Sequence, residues 1–424
     1  MIAWFADNLA LIMFVTMFVV IFCGYPVAFV LGGTGLAFAL FAWALGDFPL
    51  IKLSNILLRM WGGVAVDPVL VSLPMFIFMG AILERSGVAK DMLDASQVML
   101  RRMPGGLAIA VMVMGTILAA PIGVVGASVV MLSLISLPPL LKAGYDKRLS
   151  IGTIGSAGTL GILIPPSIML VVMAEMLNTS AGALFAAATI PGFVLSGLYL
   201  LYIWGVTLVR PDLAPKLPPE HGPQTSRETL IVVSRGMLPM TVLMVVVLGS
   251  IFAGWATATE SAGVGCLGAT GFSMVFRELG GDDLMLSMLY KLGIDTPWEM
   301  MAFVMVLIFL LGFPFEWIEI CLIVLPIFGP ILMKMDFSSH IGDMVGFMPW
   351  FATLVAVNLQ TSFMSPPFGA TLFYMKGTVP ADCSMTDVYR GTYPFLVLQV
   401  IGLALCLAFP ELSLWLPRIS GMLD

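Results

Sequence analysis

Charged side chains are scarce in this sequence. Of its 424 residues only 10% are charged, whereas 60% are hydrophobic. A soluble domain carries roughly 25% charged residues, so this chain lacks the polar groups that would cover a water-facing surface. Apolar runs of about twenty residues, the length of a membrane-crossing helix, instead recur from Leu9 to Leu416. The composition therefore predicts a polytopic integral membrane protein.

Side chains that commonly carry enzyme chemistry are also few. The chain has two histidines, and its five cysteines form no CxxC pair. It contains no phosphate-binding glycine loop, no nucleophile elbow and no HExxH metal helix. We therefore expect neither an enzyme nor an organic cofactor, and we expect the histidines, His221 and His340, to lie in loops.

The first half of the chain contains a long apolar run with a flexible midpoint. Residues 104–141 carry no charge and lie between Arg102 and Lys142. Basic residues favour the cytoplasmic side, so both ends of the run are predicted to lie in the cytoplasm and the N-terminus outside. Small residues at 123–128 indicate the tip of a re-entrant helical hairpin, although two full crossings remain possible. The other helices predicted in this half are 9–23, 26–45, 67–83, 149–177 and 182–208.

Two predicted helices are interrupted by a double proline. The segment 149–177 contains Pro165–Pro166, and the segment 343–376 contains Pro366–Pro367, 201 positions later. Proline has no backbone N–H and clashes with the preceding turn, which leaves carbonyl groups without partners. Such groups are costly in hydrocarbon, so broken helices are found where they line a cavity enclosed by protein. Paired breaks at corresponding positions of two halves indicate the binding site of a transporter.

The second half repeats the layout of the first. It follows a polar connector at 209–228, whose basic residues place it in the cytoplasm. A second apolar run has its own helix breaker between Gly312 and Glu316. The elements predicted here are the hairpin 297–334, the broken helix 343–376 and a last helix, 393–416.

The two halves are predicted to form inverted repeats, 1–208 and 229–424, of an all-α membrane transporter. In an inverted repeat the two hairpins enter the membrane from opposite sides. Only two apolar segments, 229–252 and 255–271, separate the connector from the second hairpin, and two crossings would return that hairpin to the cytoplasm. This parity predicts that one crossing is missing from the sequence between the connector and the second hairpin, near Gly271.

Several stretches at the hairpins and the breaks form motifs. They read LERSG and PGGLAIA near the first hairpin, GTLGILIPPS at the first break, and NLQTSFMSPPFG with LFYMKG at the second. These motifs resemble the large membrane subunit of the tripartite ATP-independent periplasmic (TRAP) transporters, and the resemblance covers nearly the whole chain. It implies an elevator-type secondary transporter, in which a scaffold holds a mobile domain of two hairpins and two broken helices.

The resemblance also implies partners, a coupling ion and a substrate class. A small TRAP membrane subunit and a periplasmic substrate-binding protein are the expected partners, in the inner membrane of a bacterium. The binding protein would deliver an organic acid, such as a C4-dicarboxylate or a 2-oxo acid. A sodium gradient would drive its import.

The family pattern further implies site residues at the hairpin tips and the breaks. Sodium ligands are expected at Gly123, Ser128, Gly158, Thr159, Gly161, Gly312, Glu316, Thr361 and Ser362. Substrate contacts are expected at Gly126, Ser128, Pro165, Pro166, Ser365, Pro366, Pro367 and Gly369. The first tip keeps a single hydroxyl residue, and the second has a glutamate where the family commonly has an aspartate. The second sodium site is therefore expected to have more oxygen ligands than the first.

Two other interpretations remain open at this point. A membrane subunit of an ion-translocating energy-converting complex also has broken helices and buried glutamates, and Glu260 lies in an apolar segment. Such subunits tend to carry several lysines within the membrane, whereas the lysines here cluster in loops. A membrane enzyme would need a cluster of catalytic side chains, which two histidines in loops do not supply.

Overall fold

The structure is a computed structural model, and its described part is helical, with no strand among the described residues. The described residues are 9–22, 27–46, 48–54, 88–100, 103–122, 124–215, 296–313, 315–380 and 383–423, with a few positions between 229 and 242. The predicted helix 67–83, the segments 229–252 and 255–271, Gly123, His221, Glu260 and the site of the missing segment near Gly271 lie wholly or mostly outside these residues.

Fifteen helices are labelled here in chain order within the described residues. The first repeat supplies α1 (Leu9–Phe22), α2 (Val27–Leu45), α3 (Val88–Leu100), α4 (Gly106–Ile122), α5 (Val125–Lys142), α6 (Lys147–Thr159), α7 (Ile168–Met176) and α8 (Ala181–Val209). The second supplies α9 (Pro297–Leu311), α10 (Trp317–Met333), α11 (Ser338–Ile341), α12 (Phe347–Met364), α13 (Ala370–Thr378), α14 (Met385–Ala408) and α15 (Glu411–Ile419). Short 3-10 helices span Leu50–Leu53, Leu160–Ile162 and Pro211–Leu213.

The long apolar run of each repeat forms a helical hairpin. The first hairpin is α4 and α5, which pack against each other. The second hairpin is α9 and α10, which also pack together and are joined at 312–316. Thr296 forms a capping box at the start of α9. Its hydroxyl accepts a hydrogen bond from the Glu299 N–H, and the Glu299 carboxylate accepts one from the Thr296 N–H.

Each double proline divides a helix into two parts. In the first broken helix, α6 ends at Thr159 and α7 begins only at Ile168, after the double proline. In the second, α12 ends at Met364 and α13 begins at Ala370. Prolines offer no N–H to the helical ladder, which explains why α12 ends just before its pair and why the chain after α6 forms only a 3-10 turn before its pair.

The two halves of the chain are interleaved. The second part of each broken helix packs against the hairpin of the other repeat, α7 against α10 and α13 against α5. Thr378 of α13 donates a hydrogen bond to the Ser133 hydroxyl of α5 (2.7 Å). A Cβ atom at Gly329 of α10 would lie 2.9 Å from Cδ2 of Leu177, just after α7. The hairpins and broken helices therefore form one packed unit.

Two helices occupy the centre of this unit. Every residue of α12 is buried, as is nearly all of α6. The long helix α8 packs against α4, α7, α12, α14 and α15. Ser196 of α8 and Thr116 of α4 share a hydroxyl hydrogen bond of 2.8 Å. Three helices of the described part, α5, α8 and α14, are long and apolar enough to cross a membrane.

The end of the chain differs from the sequence expectation. A single helix was predicted over 393–416, whereas the structure has α14 from Met385 and a separate amphipathic α15. The helix starts earlier because Ser384 caps it, with its hydroxyl accepting a bond from the Asp387 N–H. It ends before Pro410 because the residue preceding a proline avoids helical geometry, and Phe409 has φ −125° and ψ 81°.

Candidate functional site

The first break lies directly against the tip of the first hairpin. A Cβ atom at Gly158 would lie 2.5 Å from Cγ2 of Val129 and 3.0 Å from its Cα, so only glycine permits this approach of α6 to α5. Ser128, the neighbour of Val129, is buried, and its hydroxyl has no hydrogen-bond partner among the described residues. The predicted residues Ser128 and Gly158 are thus close in space.

The backbone that follows Gly158 is buried and irregular. Gly161, Pro165 and Pro166 are all buried, and the peptide bond between the prolines is cis. The 3-10 turn uses the Leu160 carbonyl, and the Ser167 hydroxyl donates to the Ile162 carbonyl (2.8 Å). Side-chain and turn hydrogen bonds therefore replace part of the helical ladder that the break removes.

The two broken helices meet at Thr159 and Gln360. Gln360 Nε2 donates to the Thr159 hydroxyl over 3.2 Å, and the Thr159 hydroxyl donates to the Ser156 carbonyl over 3.0 Å. Thr159 and Gln360 are 201 positions apart, the same separation as the two double prolines. The bond therefore joins corresponding positions of the two broken helices. The buried Gln360 Oε1 has no hydrogen-bond partner in the described part of the chain.

The second break is tied to the second hairpin by polar side chains. The Ser362 hydroxyl donates to the Phe309 carbonyl (2.6 Å), and Asn358 Nδ2 donates to the Met305 carbonyl (2.7 Å). Gly312, at the end of α9, lies so close to Ser362 that a Cβ atom there would collide with the hydroxyl. The predicted residues Gly312 and Ser362 are therefore in contact.

The remaining hydroxyl groups of the second break bond within their own segment. The Thr361 hydroxyl donates to the Val357 carbonyl and the Ser365 hydroxyl to the Thr361 carbonyl, each over 2.8 Å. The Gly369 N–H donates to the Ser365 carbonyl (2.9 Å). Each hydroxyl donates its hydrogen bond to a carbonyl, so the lone pairs of the hydroxyl oxygen remain available to a cation.

The two hairpin tips converge on Tyr374 of α13. Its hydroxyl donates to Glu316 Oε1 over 2.6 Å, and Glu316 is the residue immediately before α10. On the other side, a Cβ atom at Gly126 would lie 2.9 Å from Cζ of the tyrosine ring, so the first tip rests on that ring. Glu316 itself is exposed, and its N–H donates to Glu319 Oε2 (3.2 Å).

A cleft of about 620 Å³ opens beside Glu316 and Tyr374. It lies between the second tip and the second break, and its described lining is Leu310, Phe313, Phe315, Glu316, Phe368, Ala370, Phe373 and Tyr374. This volume suits a small organic molecule, since ligand pockets typically measure about 300–1,000 Å³.

The two double prolines have different surroundings. Pro165 and Pro166 are fully buried, whereas Pro366 is half-buried and Pro367 is exposed beside the cleft residue Phe368. The Pro366–Pro367 peptide bond is also cis, and the Pro367 carbonyl accepts a hydrogen bond from the Tyr389 hydroxyl (3.2 Å). The second break is therefore more exposed than the first.

Three residues of this region were missed in the sequence analysis: Asn358, Gln360 and Tyr374. Gln360 could have been found, because it is 201 positions after Thr159, the spacing of the double prolines. A buried amide such as Asn358 is also unusual in an apolar helix. Its partner on α9 lies 53 positions away, and no local pattern indicates it.

Helical hairpins paired with broken helices in two corresponding halves of a chain are the architecture of a secondary transporter subunit. The family model described as "Tripartite ATP-independent periplasmic transporter, DctM component" matches residues 14–290 and 282–412. The chain therefore belongs to the DctM family of TRAP transporter large subunits, as the motifs at the breaks predicted.

Known relatives carry different substrate names. The chain is 29% identical to the C4-dicarboxylate TRAP transporter large permease protein DctM of Pseudomonas aeruginosa, over 83% of this chain and 87% of that one. It is 27% identical to DctM of Rhodobacter capsulatus, over 97% and 100% of the two chains. It is 26% identical to the ectoine/5-hydroxyectoine permease UehC of Ruegeria pomeroyi, over 97% and 99%. These relatives are named as permeases and not as enzymes.

The alignment with the Rhodobacter relative bears on the predicted missing segment. It runs over 464 positions, more than the 424 residues of this chain. The relative therefore contains residues that have no counterpart here. Their location in the alignment is not fixed by this length alone, so an omission near Gly271 stays a prediction.

Proposed function

We propose that this chain is the translocating subunit of a sodium-driven importer of organic acids. The observation that carries the proposal is the meeting of the two broken helices at Thr159 and Gln360, next to both hairpins. Broken helices supply backbone carbonyls for a cation and half-helix N-termini for an anionic group. A matched pair at the centre of a transporter subunit is therefore suited to bind ion and substrate together.

The coupling ion would be held mainly at the second break. Thr361, Ser362 and Ser365 supply hydroxyl oxygens there, close to the carbonyls of the α12 end and to Gly312. At the first break Ser128 and Thr159 are the hydroxyl residues, with backbone carbonyls near Gly158 and Gly161. The Oε1 atom of Gln360 adds a further oxygen between the two breaks.

Movement would follow an elevator mechanism. The contacts of α7 with α10 and of α13 with α5 join both hairpins and both broken helices into one unit. That unit is the part we propose to carry the bound substrate across the membrane, against a scaffold that includes α1 and α2. The chain would lie in the inner membrane of a bacterium with its N-terminus in the periplasm.

Two partners complete the proposed transporter. A periplasmic binding protein would deliver the substrate, and a small membrane subunit would support the scaffold. The isethionate relative named permease protein DctMQ is longer than this chain, which covers 64% of it. The substrate would be an organic acid with at least one carboxylate, the group shared by the C4-dicarboxylates for which two of the relatives are named.

Uptake into proteoliposomes tests this function. The complete transporter should accumulate the ligand of its binding protein when sodium is high outside, and Thr361→Ala and Ser362→Ala should each raise the half-maximal sodium concentration by on the order of tenfold. Thr392→Ala is the matched control, because Thr392 is buried and its hydroxyl also donates to the carbonyl four residues earlier. Uptake that ignores sodium and follows a proton gradient would contradict the proposal.

A further inference from the structure

The chemistry of the cleft beside the second break points to a narrower class of substrate. Its described lining contains five aromatic side chains and a single charged one, the Glu316 carboxylate. No lysine or arginine is among these lining residues. A site for two carboxylates would be expected to offer basic side chains, because arginine binds carboxylates with paired hydrogen bonds.

Aromatic faces and a carboxylate together favour a positive charge. The faces of phenylalanine and tyrosine rings attract ammonium and guanidinium groups, and sites of this kind bind quaternary ammonium compounds. The Glu316 carboxylate adds a direct electrostatic attraction. The same carboxylate repels a second anionic group placed in the cleft.

Tyr374 fixes the position of that carboxylate. Its hydroxyl donates to Oε1 of Glu316 over 2.6 Å, and the same carboxylate takes part in the capping box at the start of α10. Its ring packs against Gly126 of the first hairpin tip and also lines the cleft. A cation bound here would therefore contact groups that are connected to both hairpins.

Hydrogen-bond donors for the carboxylate of the substrate lie on the same cleft. Ala370, the first residue of α13, is one of the lining residues. The first N–H groups of a helix have no partner within the helix and carry a partial positive charge. The cleft thus combines a cation-binding wall with a weaker anion-binding end.

We propose that this cleft receives a zwitterionic carboxylate, whose substituted ammonium or amidinium group faces Glu316 and the aromatic rings. The inference rests on the proposed transport function, because it places the cleft on the route of the substrate. It separates this chain from a transporter of C4-dicarboxylates, which bring two negative charges and no positive one.

Two probes of equal shape measure the contribution of the positive charge to binding. Glycine betaine has a trimethylammonium group beside its carboxylate, and 3,3-dimethylbutyrate has a carbon atom in place of the nitrogen. Binding of both probes, and of succinate, is measured by calorimetry on the purified large and small subunits together. Betaine should bind at least about tenfold more tightly than 3,3-dimethylbutyrate or succinate.

Three variants locate the source of this preference. Glu316→Gln should reduce the preference for betaine over 3,3-dimethylbutyrate to about threefold or less, because the carboxylate is removed while the size of the side chain is kept. Phe368→Leu should weaken betaine binding only, and Phe368→Tyr should retain it, because tyrosine keeps an aromatic face. Phe193→Leu is the control, since Phe193 is exposed on α8 and is absent from the cleft lining.

The results that would overturn the inference are specific. Equal binding of betaine and 3,3-dimethylbutyrate, tighter binding of succinate, or an unchanged preference in Glu316→Gln would each refute it. Sodium-driven uptake of succinate but not betaine would refute this substrate class and leave the transport function standing.

Discussion

The two broken helices pack against the hairpins through different side chains. Residues of α12 correspond to residues of α6 at an offset of 201, so Asn358 corresponds to Ala157 and Ser362 to Gly161. In the first repeat, Ala157 packs against Gly115 of α4, where a Cβ atom would lie 2.5 Å from that of the alanine. In the second, Asn358 donates a hydrogen bond to the Met305 carbonyl of α9.

The difference shows that small residues and buried amides are alternative means of holding a broken helix to its hairpin. Small residues bring the backbones together and rely on close packing. Polar side chains bridge a wider gap and satisfy carbonyl groups that have a free lone pair. A substitution in the first repeat should therefore act by steric collision, and one in the second by leaving a buried polar group unpaired.

A second difference concerns the chemistry available to a ligand. The position that corresponds to Tyr374 in the first repeat is Met173, which is fully buried. The phenol, the Glu316 carboxylate and the aromatic cleft thus belong to the second break only, within the described residues. The two breaks share a backbone plan but offer unequal surfaces to a substrate.

The largest effect should come from adding a side chain at Gly158. Gly158→Val would force the new methyl groups into the backbone of α5 at Val129, at a cost of about 3 kcal/mol or more. The thermal unfolding midpoint of the purified protein should fall strongly, and uptake should be lost. Gly197→Val on α8 is the control, because a Cβ atom there has no neighbour within 4 Å. Equal midpoints for the two variants would refute the steric account of the first break.

A smaller loss is expected when the polar bridge of the second repeat is removed. Asn358→Ala should leave the Met305 carbonyl without its amide partner and cost about 1–3 kcal/mol. The measurement is again the unfolding midpoint, compared with that of Gln399→Ala, another buried amide that does not bond to a hairpin carbonyl. If Asn358→Ala were as stable as the wild type, hydrogen bonding would not hold the second broken helix.

The smallest effect on stability should be that of Tyr374→Phe. The substitution keeps the ring against Gly126 and removes one hydrogen bond to the exposed Glu316, so it should cost about 1 kcal/mol or less. Tyr374→Ala, which also removes the ring, should lower the unfolding midpoint further. If Tyr374→Phe lowered the unfolding midpoint more than Asn358→Ala did, the contact between the two hairpin tips would depend on the tyrosine hydroxyl and not on packing of its ring.

Much of this architecture was predictable from local sequence. Prolines and glycines mark backbone positions that cannot continue a helix, so the hairpin expected over 297–334 matches α9 and α10 closely. The split between α14 and α15 was also encoded, at Pro410, but a continuous apolar pattern masked it.

Tertiary partners were not predictable in the same way. The bonds of Asn358 and Tyr374 join residues 53 and 58 positions apart, and they depend on how α9, α12 and α13 pack. Glu316 illustrates the limit, because its sequence context suggested an ion ligand while the structure adds a tyrosine hydroxyl as its partner. A side chain's type indicates what it can bind, but the fold decides which partner reaches it.

The central claim is that the two breaks form one site, joined at Thr159 and Gln360. The most direct test is a double-mutant cycle on sodium-driven uptake, with Thr159→Val, Gln360→Leu and both changes together. Residues that contact each other in one site show coupling of about 0.5–3 kcal/mol, so the double variant should need little more sodium for half-maximal uptake than the worse single variant. Independent effects, in which the two increases in the half-maximal sodium concentration multiply, would contradict the claim.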